Sequence, residues 1–525
     1  MTRRWPALPA AAILLLVLWR AVLHPVDTYG DSGAGYIEHL ERVRVLSRLT
    51  TAGGSIFDRL RAADGLYPPG LHLLSAPASF LGAHHPEAVT PLGILWLLLL
   101  AGAVATCAHT LHKRALVPAF VATLLVPAFH AVAPRYYYDL PMTALVWTAA
   151  AALASSDKNT VPKAILAALA FSLACFVKWS AIPLGASILV AGALLAARHD
   201  RRRALQASSL AVGLTTLIVV PTLLASTSFG AMGGATFQPP PGVALPTWTA
   251  ALNSIRPGLG HALGSMAVQA RLDGPARAWF YFSRLGSTVL APALVPSTLT
   301  LVAIWARTRA PGALALAVAA LPVVAFILLA VPPLDERFLL TVLPVIPLVA
   351  GVALSESTRL TRILAPVTAA LAVAVAADFH LGGPFNGAET PATTGHATPL
   401  RWGLSTSIDR RGWARSDHLP DHRSAFRSAL LQQVERCHAT SITGDDAIVA
   451  DKGDLNWWTF AFERATLAHD APQRVFMPIG TGLGPPPSPP TLAFTHATPP
   501  DGFAPLTAHL AIPAFSPPGL CESFQ

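Results

Sequence analysis

The 525-residue chain is 53% hydrophobic and 12% charged, with a mean hydropathy of +0.50 and a formal net charge of +9. Soluble domains carry about 25% charged residues, so these figures exclude a cytosolic enzyme, a disordered tail and a collagen-like fibre. Apolar runs of membrane-spanning length recur from residue 6 to residue 378, while the 47 prolines are too many for a uniform helical bundle. The composition describes a polytopic membrane protein with substantial parts outside the bilayer.

Thr2-Arg3-Arg4 precedes the first apolar run, Pro6 to Leu23. A secretory signal has this shape, but no small-x-small cleavage site follows, so an uncleaved first span is the preferred reading. A polar-to-mixed stretch covers 25–86. Apolar runs then fall at 88–107, 115–133, 137–155, 163–178, 180–197, 204–226, 284–306, 311–331, 338–354 and 361–378. With the first run, this predicts about eleven spans.

The charges orient them. With the N-terminus cytoplasmic, Lys113-Arg114, Lys158 with Lys163, Arg198 with Arg201-Arg202-Arg203, Arg307 with Arg309, and Arg359 with Arg362 all fall in inner loops, as the positive-inside rule requires. Counting 70–82 as a further span reverses that parity, so 68–82 reads as a helix lying in or dipping into the outer interface. The net positive charge thus reports orientation; it is no sign of a nucleic-acid partner.

Three large segments then share the outer face: 25–86, 227–283 and 379–525. The expected division is a transmembrane domain over 1–378 and a small extracytoplasmic α/β domain over 379–525. In the tail, 423–437 and 456–468 read as helices, and 447–450, 474–477 and 492–495 as strands. Cys107 and Cys175 lie in apolar runs and read as small core hydrophobes. Cys437 and Cys521 lie in the tail, where pairing stays open if it is extracytoplasmic. No cysteine spacing resembles a zinc site.

Charged residues are scarce enough to consider singly. Asp27-Thr-Tyr-Gly-Asp31-Ser32 follows the first span and precedes a helical pattern through Tyr36, Leu40, Val43 and Leu46. Asp31 or Ser32 as a helix cap explains this locally. Tyr67-Pro68-Pro69-Gly70-Leu71-His72 opens the interfacial segment. Pro134-Arg135-Tyr136-Tyr137-Tyr138-Asp139-Leu140-Pro141-Met142-Thr143 sits at the outer start of a span. There the tyrosines suit an interfacial belt, Arg135 and Asp139 could pair, and an acid at the mouth of a span is a functional candidate. Lys178, in Phe176-Val-Lys-Trp-Ser180, lies between two runs too close for a real loop. Arg337 follows Asp335-Glu336. Outward cations run against the positive-inside bias. They are either snorkelling or paired residues, or a site for an anionic headgroup or phosphate.

In order, these pieces resemble the C-type membrane glycosyltransferases, specifically the protein O-mannosyltransferase and lipid A aminoarabinose transferase group, over roughly 20–380. The resemblance implies a GT-C-like fold and a sugar donor carried on a polyprenyl phosphate. It also implies a lipid, glycan or protein hydroxyl acceptor approached from the outer face of the inner (plasma) membrane. It assigns the base to an aspartate of the first outer loop, which here falls on Asp31 with Asp27 as second choice, and it reverses the local preference for a cap. Relatives usually carry a second acid next, whereas this chain has Ser32; no required metal is therefore expected.

The chemistry agrees with that assignment. A hydroxyl is a poor nucleophile and needs a carboxylate to accept its proton. The leaving lipid phosphate gains charge, which fixed cations stabilise. Lys178, Arg337 and Arg135 are the expected phosphate-binding residues, and Tyr67, His72 and Asp139 the expected substrate-binding ones. A single displacement at the anomeric carbon inverts its configuration.

The main rival is a polytopic transporter or lipid flippase for envelope glycan precursors. Transporters tend to carry inverted repeats and charges near the midplane. Here the span interiors are almost free of charge, and the notable residues gather at one face.

Overall fold

The computed structural model describes residues 7–23, 68–81, 91–134, 138–156, 159–225, 244–255, 290–308, 312–330, 336–356 and 358–381, isolated positions between 264 and 286, and five short strands beyond 440. The chain divides into two compact units. One comprises 1–25, 42–78 and 89–416; the other comprises 26–41, 79–88 and 417–525.

The first unit is helical. Its helices are α1 (Ala7–Leu23), α2 (Gly70–Leu81, of which 70–78 belong to this unit), α3 (Leu92–Leu111), α4 (Leu116–Leu124), α5 (Pro127–Val132), α6 (Asp139–Ala154), α7 (Thr160–Val177) and α8 (Ala181–Ala197). They are followed by α9 (Arg201–Ala225), α10 (Trp248–Ile255), α11 (Val295–Thr308), α12 (Ala313–Ala330), α13 (Val345–Ser355) and α14 (Arg359–Leu381). Among the described residues, Leu92–Leu111, Thr160–Val177, Arg201–Leu223 and Arg359–Ala377 are long and apolar enough to cross a membrane. Five shorter apolar helices lie at Ala7–Trp19, Asp139–Ala154, Ala181–Ala197, Ala313–Leu329 and Val345–Ser355. This is a multi-pass α-helical membrane protein.

Small residues take many of the buried positions on these helices, beside Leu97 and Leu100 on α3. On α3, the small residues Ala101, Ala105 and Ala108, with Val104, are buried, whereas Leu95 and Leu99 are exposed. The same inversion recurs on α9 and α14, where Leu217, Ile363 and Val367 face outward and Ala207, Ala211, Ala369 and Ala376 inward. In lipid there is no hydrophobic gain from burying leucine, so small residues take the contacts and let backbones approach closely. Gly192 of α8 illustrates this: a methyl added there would lie 2.5 Å from the carbonyl oxygen of Ala150 on α6.

At the centre is α6, packed against α3, α7 and α8. Every one of its residues except Thr148 is buried, as the central helix of a bundle must be. Around it, α7 also packs on α9, α8 on α12, α4 on α3 and α13, and α1 on α14.

Two runs that read as continuous spans are interrupted. The stretch 115–133 is a 3₁₀ turn (Lys113–Ala115), then α4, then α5. Pro127 has no N–H and pushes Val126 into an extended conformation (φ −72°, ψ 117°). The stretch 338–354 begins as a 3₁₀ segment, Glu336–Thr341, and becomes α-helical only after Pro344. Helix α2 falls within the 68–82 stretch, and Leu71, His72, Ser75 and Ala76 in its first turns are buried in protein. Helices α5 and α14 are joined by a buried histidine pair, His130 Nδ1 lying 3.0 Å from His380 Nε2.

Beyond residue 440 the described residues of the second unit are five strands: β1 (Ser441–Asp445), β2 (Val475–Ile479), β3 (Leu492–Phe494), β4 (Ala504–Pro505) and β5 (Ala514–Ser516). They form one sheet in the order β2-β1-β3-β5-β4. β1 runs parallel to β2 and β3, with Ile442 in register with Phe476 and Leu492, and the β3–β5 and β4–β5 pairs are antiparallel. β2 and β3 fall where strands were expected. β1 does not: Ser-Ile-Thr-Gly-Asp has one apolar residue and no alternation to reveal it. The stretches 423–437, 447–450 and 456–468, and Cys437 and Cys521, lie outside the described residues.

Candidate functional site

Asp139 occupies the first turn of α6, where a carboxylate suits the positive end of the helix. It is almost completely buried, so it requires a partner. That partner comes from the end of α7. Lys178 caps this helix in an extended conformation (φ −157°, ψ 125°), its N–H still donating to the Ala174 carbonyl at 3.0 Å. Its Nζ donates to Asp139 Oδ1 at 2.8 Å, with the two side chains only 7% and 2% exposed.

The Phe338 ring lies beneath the same ammonium, 5.5 Å from centroid to Nζ, a cation–π arrangement. Trp179 is buried too. Lys178 is therefore no snorkelling anchor, whose head group would sit in water. Instead it is a cation fixed by a carboxylate and an aromatic face.

The opening of α2 reaches the same end of α6. Gly70 abuts the end of α7: a methyl there would lie 2.6 Å from the Phe176 backbone carbonyl carbon. Two residues on, buried His72 meets buried Tyr138, with Nε2 3.2 Å from the phenol oxygen and the rings edge to face. Tyr138 immediately precedes Asp139. Arg337, half-buried, immediately precedes Phe338. Four stretches far apart in sequence, at 70–72, 138–139, 176–180 and 337–341, thus converge on the start of α6.

That helix carries a stripe the sequence reading did not use. Asp139, Thr143 and Trp147 are spaced i, i+4, i+8 and share one face. Trp147 Nε1 donates to the Thr341 carbonyl at 2.9 Å, and the Thr143 and Thr341 hydroxyls lie 3.5 Å apart. One residue off the stripe, Met142 Sδ accepts from Ser180 Oγ at 3.5 Å. The spacing of polar and aromatic residues along an otherwise alanine-rich helix was the available signal.

Of the residues singled out from sequence, Lys178, Asp139, His72 and Arg337 belong to these converging stretches. Asp27, Asp31, Tyr67 and Arg135 lie outside the described residues. Asp139, expected to touch substrate or Arg135, is engaged by Lys178. Among the described residues no three His, Cys, Asp or Glu side chains are grouped to hold a metal ion.

No family model matches the chain, and no curated protein matches it. Solved structures similar to it include ArnT from Cupriavidus metallidurans bound to undecaprenyl phosphate, 15% identical, covering 89% of this chain and 79% of that one with a TM-score of 0.48. The same protein in its apo state is also 15% identical, covering 89% and 78%, with a TM-score of 0.44. The Archaeoglobus fulgidus oligosaccharyltransferase in apo form is 13% identical, covering 90% of this chain and 64% of that one, with a TM-score of 0.45.

Proposed function

We propose that this chain is an integral-membrane glycosyltransferase that moves a sugar from a polyprenyl-phosphate donor to a hydroxyl acceptor at the outer face of the inner membrane. The observation that carries this reading is the dry, preorganised cation. Lys178 is held by Asp139 and Phe338 where the four motif-bearing stretches meet. An ammonium fixed before reaction stabilises charge developing on a leaving phosphate without reorganisation, usually the largest catalytic contribution.

In this reading Lys178 and Arg337 hold the donor phosphate, with Arg135 as a third cation, and Asp139 sets the position of Lys178. His72, backed by Tyr138, and Tyr67 contact the substrate. Asp31, or failing it Asp27, accepts the acceptor's proton as the hydroxyl attacks the anomeric carbon, with inversion. The helical segments make about eleven spans, with the N-terminus cytoplasmic and the region after 379 an extracytoplasmic α/β domain.

The test uses the full chain in nanodiscs loaded with undecaprenyl phosphate. Mass spectrometry of the purified protein should find the lipid bound, and Asp31→Asn should retain it while abolishing glycan transfer in a deletion strain. Full transfer by Asp31→Asn removes the base assignment, and loss at Asp27→Asn alone moves it to that residue. Movement of lipid-linked sugar between leaflets without transfer favours the flippase.

A further inference from the structure

The 3₁₀ segment Glu336–Thr341 bears Arg337 and Phe338, yet little in its own sequence holds it. Six residues is long for a 3₁₀ helix, whose hydrogen bonds are poorly aligned. Its last carbonyl is also deprived of a local partner. The i+3 donor for Thr341 would be the N–H of residue 344, which is proline. The next N–H, that of Val345, goes to the Val342 carbonyl at 3.1 Å. The Thr341 carbonyl is therefore left to an outside donor, and Trp147 supplies it at 2.9 Å, with both residues buried.

We propose that Trp147 is a positioning residue for the donor-phosphate site: its indole N–H fixes the 336–341 segment in register on α6, so that Arg337 and Lys178 engage the same lipid phosphate. The stripe makes α6 a common reference for both cations. Asp139 on its first turn sets Lys178, and Trp147 two turns further along sets the segment carrying Arg337. Thr143, midway, contributes the hydroxyl facing that of Thr341. Phe338 closes the arrangement by placing its ring under the ammonium. Trp147 acts through Arg337 and does not itself touch the donor. The inference rests on the reading that Lys178 and Arg337 hold the donor phosphate.

The experiment titrates undecaprenyl phosphate into the purified full chain in nanodiscs and measures Kd and Tm for wild type, Trp147→Phe, Arg337→Gln and the double variant. Trp147→Phe should weaken binding about tenfold, the scale of one unmade buried hydrogen bond. Because Trp147 works through Arg337, adding Trp147→Phe to Arg337→Gln should weaken binding by less than about twofold more. A merely structural tryptophan would lower Tm in both backgrounds and leave the two affinity losses additive.

Where phenylalanine prevents folding, 3-benzothienylalanine at position 147 keeps the bicyclic ring, replaces N–H by sulfur and gives the same expectations. Wild-type binding with unchanged affinity in the position-147 variant, or additive losses in the double variant, overturns the positioning role and leaves the phosphate site standing. Failure of wild type to bind, or unchanged affinity in Arg337→Gln, overturns the phosphate site and this inference together.

Discussion

Replacing Asp139 by Asn keeps the shape of the side chain and removes the counter-charge from a buried ammonium. At 2.8 Å and an effective dielectric constant of about 20, the direct Coulomb attraction is about 6 kcal/mol. Part of it offsets the desolvation of both groups. The net cost of breaking a buried pair from one side is about 3–5 kcal/mol. The amide oxygen still accepts one hydrogen bond, so Asp139→Asn should fall near the lower end. Thermal unfolding in detergent should show a clear loss of stability, and undecaprenyl phosphate affinity should fall as Lys178 reorients. The double variant Asp139→Leu with Lys178→Met separates structure from function, since removing both charges from a buried site is often neutral for folding. It should recover stability and still fail to bind lipid phosphate. If Asp139→Asn matches wild type in both stability and affinity, the pair is not the organising contact. If the apolar double variant binds donor normally, Lys178 is structural alone.

Two further outcomes follow from the packing of α2. Gly70→Ala places a methyl against the Phe176 backbone, which cannot rotate away. The overpacking should cost about 1–3 kcal/mol in unfolding experiments and raise the KM for donor as α2 is displaced from the end of α7. Tyr138→Phe removes the hydroxyl facing His72 Nε2. A loss of about 1–3 kcal/mol is expected from the unmade buried contact, with reduced transfer in the same deletion-strain assay used for Asp31→Asn.

Much of the helical framework was legible because apolar runs of spanning length are strong, local signals. The breaks were less so. Pro127 could have been read as ending a helix, but the apolar character of 115–133 is continuous across it, and hydropathy does not register a missing N–H. At the site, Asp139 and Lys178 stood out because charge next to a span is costly. Their partnership was not readable, since it joins two helix ends 39 positions apart through tertiary packing. Trp147 was harder still. Its spacing from Asp139 and Thr143 was the one available signal, and its hydrogen bond to the Thr341 carbonyl joins positions 194 apart in sequence.

The spacing of Asp139, Thr143 and Trp147 has a consequence for how this chain can diverge. One residue added to or removed from α6 between its first turn and Trp147 turns everything beyond it by about 100°, carrying the indole away from the 336–341 segment while Asp139 stays in place. Substitution among the intervening residues changes volume; an insertion changes phase. Relatives that keep the same chemistry should therefore hold the length of this helix more strictly than its composition.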